Sequence, residues 1–184
     1  VNGIEAYPIE VEVNAGWGDT LIVIVGLPDA AVKESRDRVI TALSNSGFKF
    51  PMGRTTINLA PADIKKEGPS FDLPIAVGML AASEQIETDQ LDNFIMVGEL
   101  ALTGAVRSVK GVLPIALRAK AEGKTGVLVP AENAPEAAVV AGLQVIPVQN
   151  LREATDFLEG TIKIPPTQVD LTKLFEHVQN DEND

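Results

Sequence analysis

Gly123-Lys124-Thr125-Gly126-Val127-Leu128-Val129-Pro130 is the stretch on which the fold turns. Val127 to Val129 is a continuous apolar run of strand length and reads as a short buried strand. Val112 to Ala121 before it reads as a helix that stops at Gly123. After it, Ala134 to Ala141 reads as a helix ended by Gly142, Val145 to Val148 as a strand, and Leu151 to Leu158 as a short helix. Upstream, the strand Phe94 to Val97 and the turn Leu102-Thr103-Gly104-Ala105 lead into a strand over Val106 to Val109. This succession of β-turn-β-α-β-α-β-α implies parallel strand pairing and an α/β (α+β) fold with a mixed sheet and packed helices. Gly123-Lys124-Thr125 also copies the end of a phosphate-binding Walker A loop. Arg118 stands where that motif needs its first glycine, and a helix precedes where a strand should. A helix stop with a tight turn is the better reading, and no nucleotide site is visible in the chain.

The first half is less regular. Ile9-Glu10-Val11-Glu12-Val13 alternates apolar and acidic residues as a half-buried strand, and Thr20 to Val25 is a β-branched strand. The glycine-containing turn over Asn14 to Asp19 predicts that these two strands form a hairpin. Asp29 is a suitable N-cap for a helix reaching about Ser46, with Gly47 as its stop and Val32, Val39, Ile40 and Leu43 on its inner face. Arg54 to Leu59 is a strand, Pro61 to Phe71 a loop, and Leu73 to Ser83 a helix that tolerates Pro74 in its first turn.

Composition removes several function classes. The formal charge is −11, and an acidic surface disfavours stand-alone binding to phosphate backbones. The chain has no cysteine, which excludes disulfides, thiolate zinc sites and a cysteine nucleophile, and fits a reducing, cytoplasmic setting. The single histidine, His177, lies in the polar tail, so neither a Ser-His-Asp triad nor a His-rich metal site is expected. No apolar run approaches the ~20 residues that span a membrane, and no signal peptide is visible. The chain starts at Val1 rather than at a methionine, so a few preceding residues are expected. After Gly160 the pattern fades. Residues 161–184 read as a linker or exit segment, in which Leu171, Leu174 and Phe175 have the spacing of one docked helical turn.

The loop Lys65-Lys66-Glu67-Gly68-Pro69-Ser70-Phe71-Asp72 carries the sharpest chemistry. A serine at a helix N-terminus sits where the macrodipole stabilises an oxyanion. Without a usable histidine its base must be a lysine, with Lys66 and Lys110 as candidates. The plainer reading is that Ser70 or Asp72 caps the following helix and the charges are solvated.

Lys66-Glu67-Gly68-Pro69-Ser70 resembles the segment around the nucleophile of Lon-type proteases. Val106-Arg107-Ser108-Val109-Lys110-Gly111-Val112-Leu113-Pro114 resembles the Lon segment that carries the catalytic lysine. In register, that lysine position falls on Leu113, and Lys110 does not replace it. Leucine cannot take the serine proton. A closer resemblance runs over about residues 1–160. Its segments are Gly26-Leu27-Pro28-Asp29-Ala30-Ala31-Val32-Lys33-Glu34-Ser35-Arg36-Asp37-Arg38-Val39, Asn58-Leu59-Ala60-Pro61-Ala62-Asp63, Phe71-Asp72-Leu73-Pro74-Ile75-Ala76, Val97-Gly98-Glu99-Leu100-Ala101-Leu102 and Val129-Pro130-Ala131-Glu132-Asn133. Together they resemble the N-terminal Lon-protease-like domain of bacterial magnesium-chelatase-like AAA+ ATPases of the ComM/YifB type.

That resemblance implies a Lon protease C-terminal-domain-like, ribosomal protein S5 domain 2-like fold over residues 1–160. Residues 161–184 would then be a linker toward an AAA+ module outside this chain. It implies a parent ATPase that forms a hexamer with neighbouring subunits and acts on DNA, driving branch migration in competence-linked members. ATP and Mg²⁺ would belong to the AAA+ module, with no cofactor or metal in this segment. The domain itself is expected to be non-catalytic and to serve assembly or partner binding. Candidate contacts are Lys33, Arg36, Asp37 and Arg38 on one helix, with Glu67 and Asp72 in the loop. The alternative is a Lon-type serine peptidase using Ser70 with a non-standard lysine. A third reading has the domain grip DNA through Lys33, Arg36, Arg38, Lys49 and Arg54, against its net charge.

Overall fold

The computed structural model describes residues 10–16, 21–25, 29–50, 53–60 and 68–169. Gly26-Leu27-Pro28, the loop residues Lys66 and Glu67, and the tail with Leu171, Leu174, Phe175 and His177 lie outside them. In chain order the elements are β1 (Glu10–Gly16), β2 (Leu21–Val25), α1 (Asp29–Asn45), β3 (Arg54–Ala60), α2 (Asp72–Ala82), β4 (Phe94–Met96), β5 (Glu99–Leu100), β6 (Val106–Arg107), α3 (Val112–Ala121), β7 (Gly126–Pro130), α4 (Ala134–Ala137), β8 (Gln144–Val148) and α5 (Leu151–Glu159). Three short 3₁₀ turns, Gly68–Phe71, Leu91–Asn93 and Ala131–Asn133, lead into α2, β4 and α4. The result is the mixed α/β fold with packed helices that the element order predicts.

β4, β7 and β8 form a parallel sheet in the order β4-β7-β8. Its side chains divide between two cores, as alternation along a strand requires. Leu128 of β7 and Ile146 and Val148 of β8 join α2 and α5 in the larger core. Val127, Val129 and Val145 join α3 and α4 in the smaller one. All five residues of β7 are buried, because helices cover both faces of this strand. Phe94 of β4 meets Phe157 of α5 edge-on, with ring centroids 5.5 Å apart.

The other sheet corrects the expected hairpin. β1 does not pair with β2. β3 lies between them, antiparallel to β1 and parallel to β2. Ile57 stands opposite Val13 on one side and Ile24 on the other, and is fully buried. The β2-α1-β3 crossover sets this order: a helix connection returns the chain alongside its starting strand, and β1 takes the edge that remains.

α1 is helical because Ser35, Val39, Ala42 and Leu43 fall on one face, and all four are buried. It ends at Asn45, and Gly47 follows with φ +87°. α4 is shorter than the sequence reading. Only Ala134–Ala137 is α-helical, and the chain leaves through Ala138-Val139-Val140 to Gly142 at φ +77°. Two successive β-branched residues favour that early exit.

α2 also departs from expectation, since neither Ser70 nor Asp72 caps it. The N-cap is Phe71, without a side-chain hydrogen bond. The 3₁₀ turn over Gly68–Phe71 runs straight into the helix. The free Leu73 N–H donates to the Gly98 carbonyl at 3.1 Å, and Gly98 N–H donates to the Ser70 carbonyl at 3.0 Å. Gly98 permits this seam, for a Cβ there would sit 2.8 Å from Val106 Cγ1.

Candidate functional site

The Gly98 seam brings the turn before α2 against the β5-β6 hairpin, and an open cleft of about 380 Å³ lies beside it. Pro69, Ser70, Glu99, Ser108, Val109, Lys110 and Asn133 line the cleft. Ser70 stands half-buried at the last position but one of the 3₁₀ turn. Lys110 and Ser108 are exposed on the segment between β6 and α3. Asn133 fastens that segment: its Oδ1 accepts from Val109 N–H at 2.9 Å and its Nδ2 donates to the Val109 carbonyl at 3.0 Å. The cleft therefore offers two hydroxyls, one ammonium and one carboxylate on walls tied down by backbone hydrogen bonds.

Leu113 lies outside this lining. It is half-buried on the first turn of α3 and packs against the smaller core. The residue expected at the Lon lysine position thus packs against apolar neighbours. Lys110 does share the cleft with Ser70. No hydrogen bond joins the two among the described residues.

Asp72, two residues beyond Ser70, occupies the opposite environment. It is 0% exposed, which corrects its expected place among solvated charges and surface contacts. Arg38 Nε donates to Oδ2 at 2.7 Å and Arg38 Nη2 to Oδ1 at 3.1 Å. Ser35 Oγ donates to Oδ1 at 3.1 Å, and Leu100 N–H to Oδ2 at 3.1 Å. Burial pushes the Asp72 carboxyl up, and the bonds from Arg38, Leu100 and Ser35 pull it down. The bond to Asp72 raises Arg38 in turn. The two shifts favour different states of the pair. Both oxygens face obligate donors, Leu100 N–H and the guanidinium, so at neutral pH the pair is ionised.

Arg38 is accordingly a structural tie between α1 and α2, which also weakens the expected DNA-gripping set. Lys33 and Asp37 are exposed and Arg36 half-buried on the outer side of α1, while Glu67 is outside the described residues. Gly123-Lys124-Thr125 forms the predicted helix stop: Lys124 N–H donates to Ala119 O, and Lys124 Nζ reaches Asp92 O at 2.7 Å.

The family described as "Subunit ChlI of Mg-chelatase" matches residues 9–133. That span takes in every cleft residue and both partners of the Arg38–Asp72 pair. The chain belongs to this family. Competence protein ComM of Haemophilus influenzae is 45% identical over 163 residues, covering 89% of this chain and 32% of that protein. The uncharacterized protein YifB of Escherichia coli is 46% identical over 158 residues, covering 86% and 31%. Lon protease 2 of Bacillus subtilis is more distant, 29% identical over 193 residues, covering 91% and 34%. The chain thus spans about a third of the length of these relatives. Among magnesium-chelatase-like proteins it is of the ComM/YifB type.

Glu99, Ser108 and Asn133 had no role in the reading of the sequence, although each lies within a quoted family or Lon-like segment. The convergence of those segments on one cleft was the available signal. Among the described residues, no group of three or more His, Cys, Asp or Glu side chains is placed to hold a metal ion. No helix among them is long and apolar enough to cross a membrane.

Proposed function

We propose that this chain is a non-catalytic N-terminal domain of a magnesium-chelatase-like AAA+ ATPase, serving assembly or partner binding. One observation carries the reading: Leu113 packs into the smaller core, so the Lon-like serine has lost its lysine. Residues 1–160 form the domain, and 161–184 lead toward the AAA+ module. The intact parent is a cytoplasmic, ATP- and Mg²⁺-dependent hexameric motor acting on DNA. Branch migration is the activity proposed for competence-linked parents, and one relative bears the name of a competence protein. Lys33, Arg36 and Asp37 on α1, with Glu67 from the loop before α2, are the proposed contacts to neighbouring subunits or partners. Deleting residues 1–160 from the parent tests this. Loss of the ring in sizing experiments, or of branch migration with ATP hydrolysis retained, is the expected result. Unchanged assembly and unchanged processing of branched DNA would overturn it.

The shared cleft gives the peptidase alternative one specific observation, since Ser70 and Lys110 both line it. Hydrolysis of a casein or peptide substrate by the chain, abolished by Ser70→Ala and by Lys110→Ala, would establish that alternative.

A further inference from the structure

Gly160 turns the chain out of α5 in the left-handed region, at φ +79°. Thr161 N–H donates to the Asp156 carbonyl at 2.9 Å, and Gly160 N–H to the Phe157 carbonyl at 3.1 Å. A free linker needs nothing beyond this helix stop. The chain instead continues along the domain. Ile164 is half-buried and packs against the larger core. Farther on, Thr167 N–H donates to the Val145 carbonyl of β8 at 2.8 Å. This second contact falls where the sheet is open, for β8 is an edge among the described strands. Gln144 N–H donates to the Thr125 carbonyl, on the side of β7. Successive peptide groups along a strand alternate in direction, so Val145 and Pro147 turn their backbone to the other side. There Pro147 has no N–H to offer another strand, and Thr167 takes the Val145 carbonyl. An edge strand is a template for pairing with another chain, and these two devices blunt it.

Pro165 and Pro166 join the two anchors, and both are exposed. Each ring fixes its own φ and holds the residue before it in extended backbone. The join therefore has little slack, and seating Ile164 delivers Thr167 to the β8 edge with little conformational entropy left to lose. The hold is also narrow. Among the described residues, the segment beyond Ile162 is fastened by the Thr167 bond and the Ile164 side chain. Lys163 and Gln168 are exposed. By contrast, every residue of β7 is buried. A segment with so few contacts opens at a lower free energy than the sheet on which it rests.

We propose that residues 161–169 form a releasable clasp between the domain and the chain that follows. Closed, it fixes the point at which the chain leaves the domain and guards the β8 edge. Open, it frees the exit and bares the Val145 carbonyl while both cores stay intact. Whatever is attached beyond residue 169 acts on the parallel sheet through the closed clasp and moves independently of it once the clasp opens. The clasp stands whether or not the cleft is catalytic.

Residue-resolved amide exchange on the full 184-residue chain tests this. Thr167 N–H should exchange at least about tenfold more slowly than in an unstructured peptide, yet at least about a hundredfold faster than Val129 N–H in β7. Ile164→Ala should raise exchange at Thr167 by about tenfold and leave Val129 unchanged. Replacing Pro165 and Pro166 together by glycine should act in the same direction by slackening the join. An unprotected Thr167 in the unaltered chain would overturn the proposal, since no clasp would exist. Thr167 and Val129 exchanging at one common rate would overturn it too, because strap and sheet would then open as a single unit. The absence of cysteine allows a second reading, from a nitroxide at Gln168→Cys. Its motion should be restricted and should gain freedom on Ile164→Ala. Full mobility before that change, or no gain after it, would contradict the clasp.

Discussion

Ser70 and Asp72 are neighbours but one in sequence, and they live in opposite physical regimes. Asp72 is withdrawn from water and accepts four hydrogen bonds from three residues. Ser70 stands half-buried at the wall of an open cleft. One motif thus supplies both a fastening and a surface. The fastening draws α1, α2 and β5 together at Asp72. The surface sets Ser70 and Lys110 on one cleft, while Leu113 packs against the smaller core. A charged motif in a loop therefore does not mark a solvated patch, since its members divide according to which can be fully paired.

Changes on the two sides should differ sharply. Asp72→Ala is expected to cost most, about 3 kcal/mol, because it strands the Arg38 guanidinium and leaves Leu100 N–H unpaired. For a chain of this size that lowers Tm by roughly 6–12 °C, measurable by calorimetry. A loss under 1 kcal/mol would mean the pair contributes little and the contrast is overstated. Asn133→Ala should come next, at about 1–2 kcal/mol, for the two bonds to the Val109 backbone. It should also raise amide exchange around Lys110. Exchange confined to other regions would show that Asn133 does not fix that wall.

Smaller effects sharpen the comparison from the exposed side. Lys33→Ala and Asp37→Ala should each change the stability of the chain by less than about 0.5 kcal/mol in urea titrations, because neither is buried. In the intact parent the same changes should weaken assembly or partner capture, read by sedimentation. Ser70→Ala should be the quietest substitution for stability, within about 0.5 kcal/mol. A large destabilisation there would return Ser70 to a structural role.

The C-terminal half was legible because its strands need only local evidence. Val127-Leu128-Val129 is apolar without a break, and a strand covered by helices on both faces must be. Gly123 and Gly142 mark helix exits at positive φ that other residues rarely adopt. The N-terminal sheet was legible only as strands. Alternation in β1 tells which face is buried but carries nothing about which strand lies beside it. The order β1-β3-β2 comes from the crossover through α1, a long-range constraint. The site was half legible for a similar reason. Ser70 and Leu113 were found by register against a known pattern. Burial of Asp72 depends on Ser35 and Arg38, 37 and 34 residues away, and no local spacing reports that.

The most direct test is covalent. The 184-residue chain and its Ser70→Ala variant are treated with a fluorophosphonate probe, and labelling is mapped by mass spectrometry. On the proposal that Leu113 occupies the lysine position, no base activates Ser70. The expected result is no labelling at Ser70 above that of a denatured sample. Stoichiometric modification of Ser70, lost in Ser70→Ala and dependent on Lys110, would show a working dyad and contradict a non-catalytic domain.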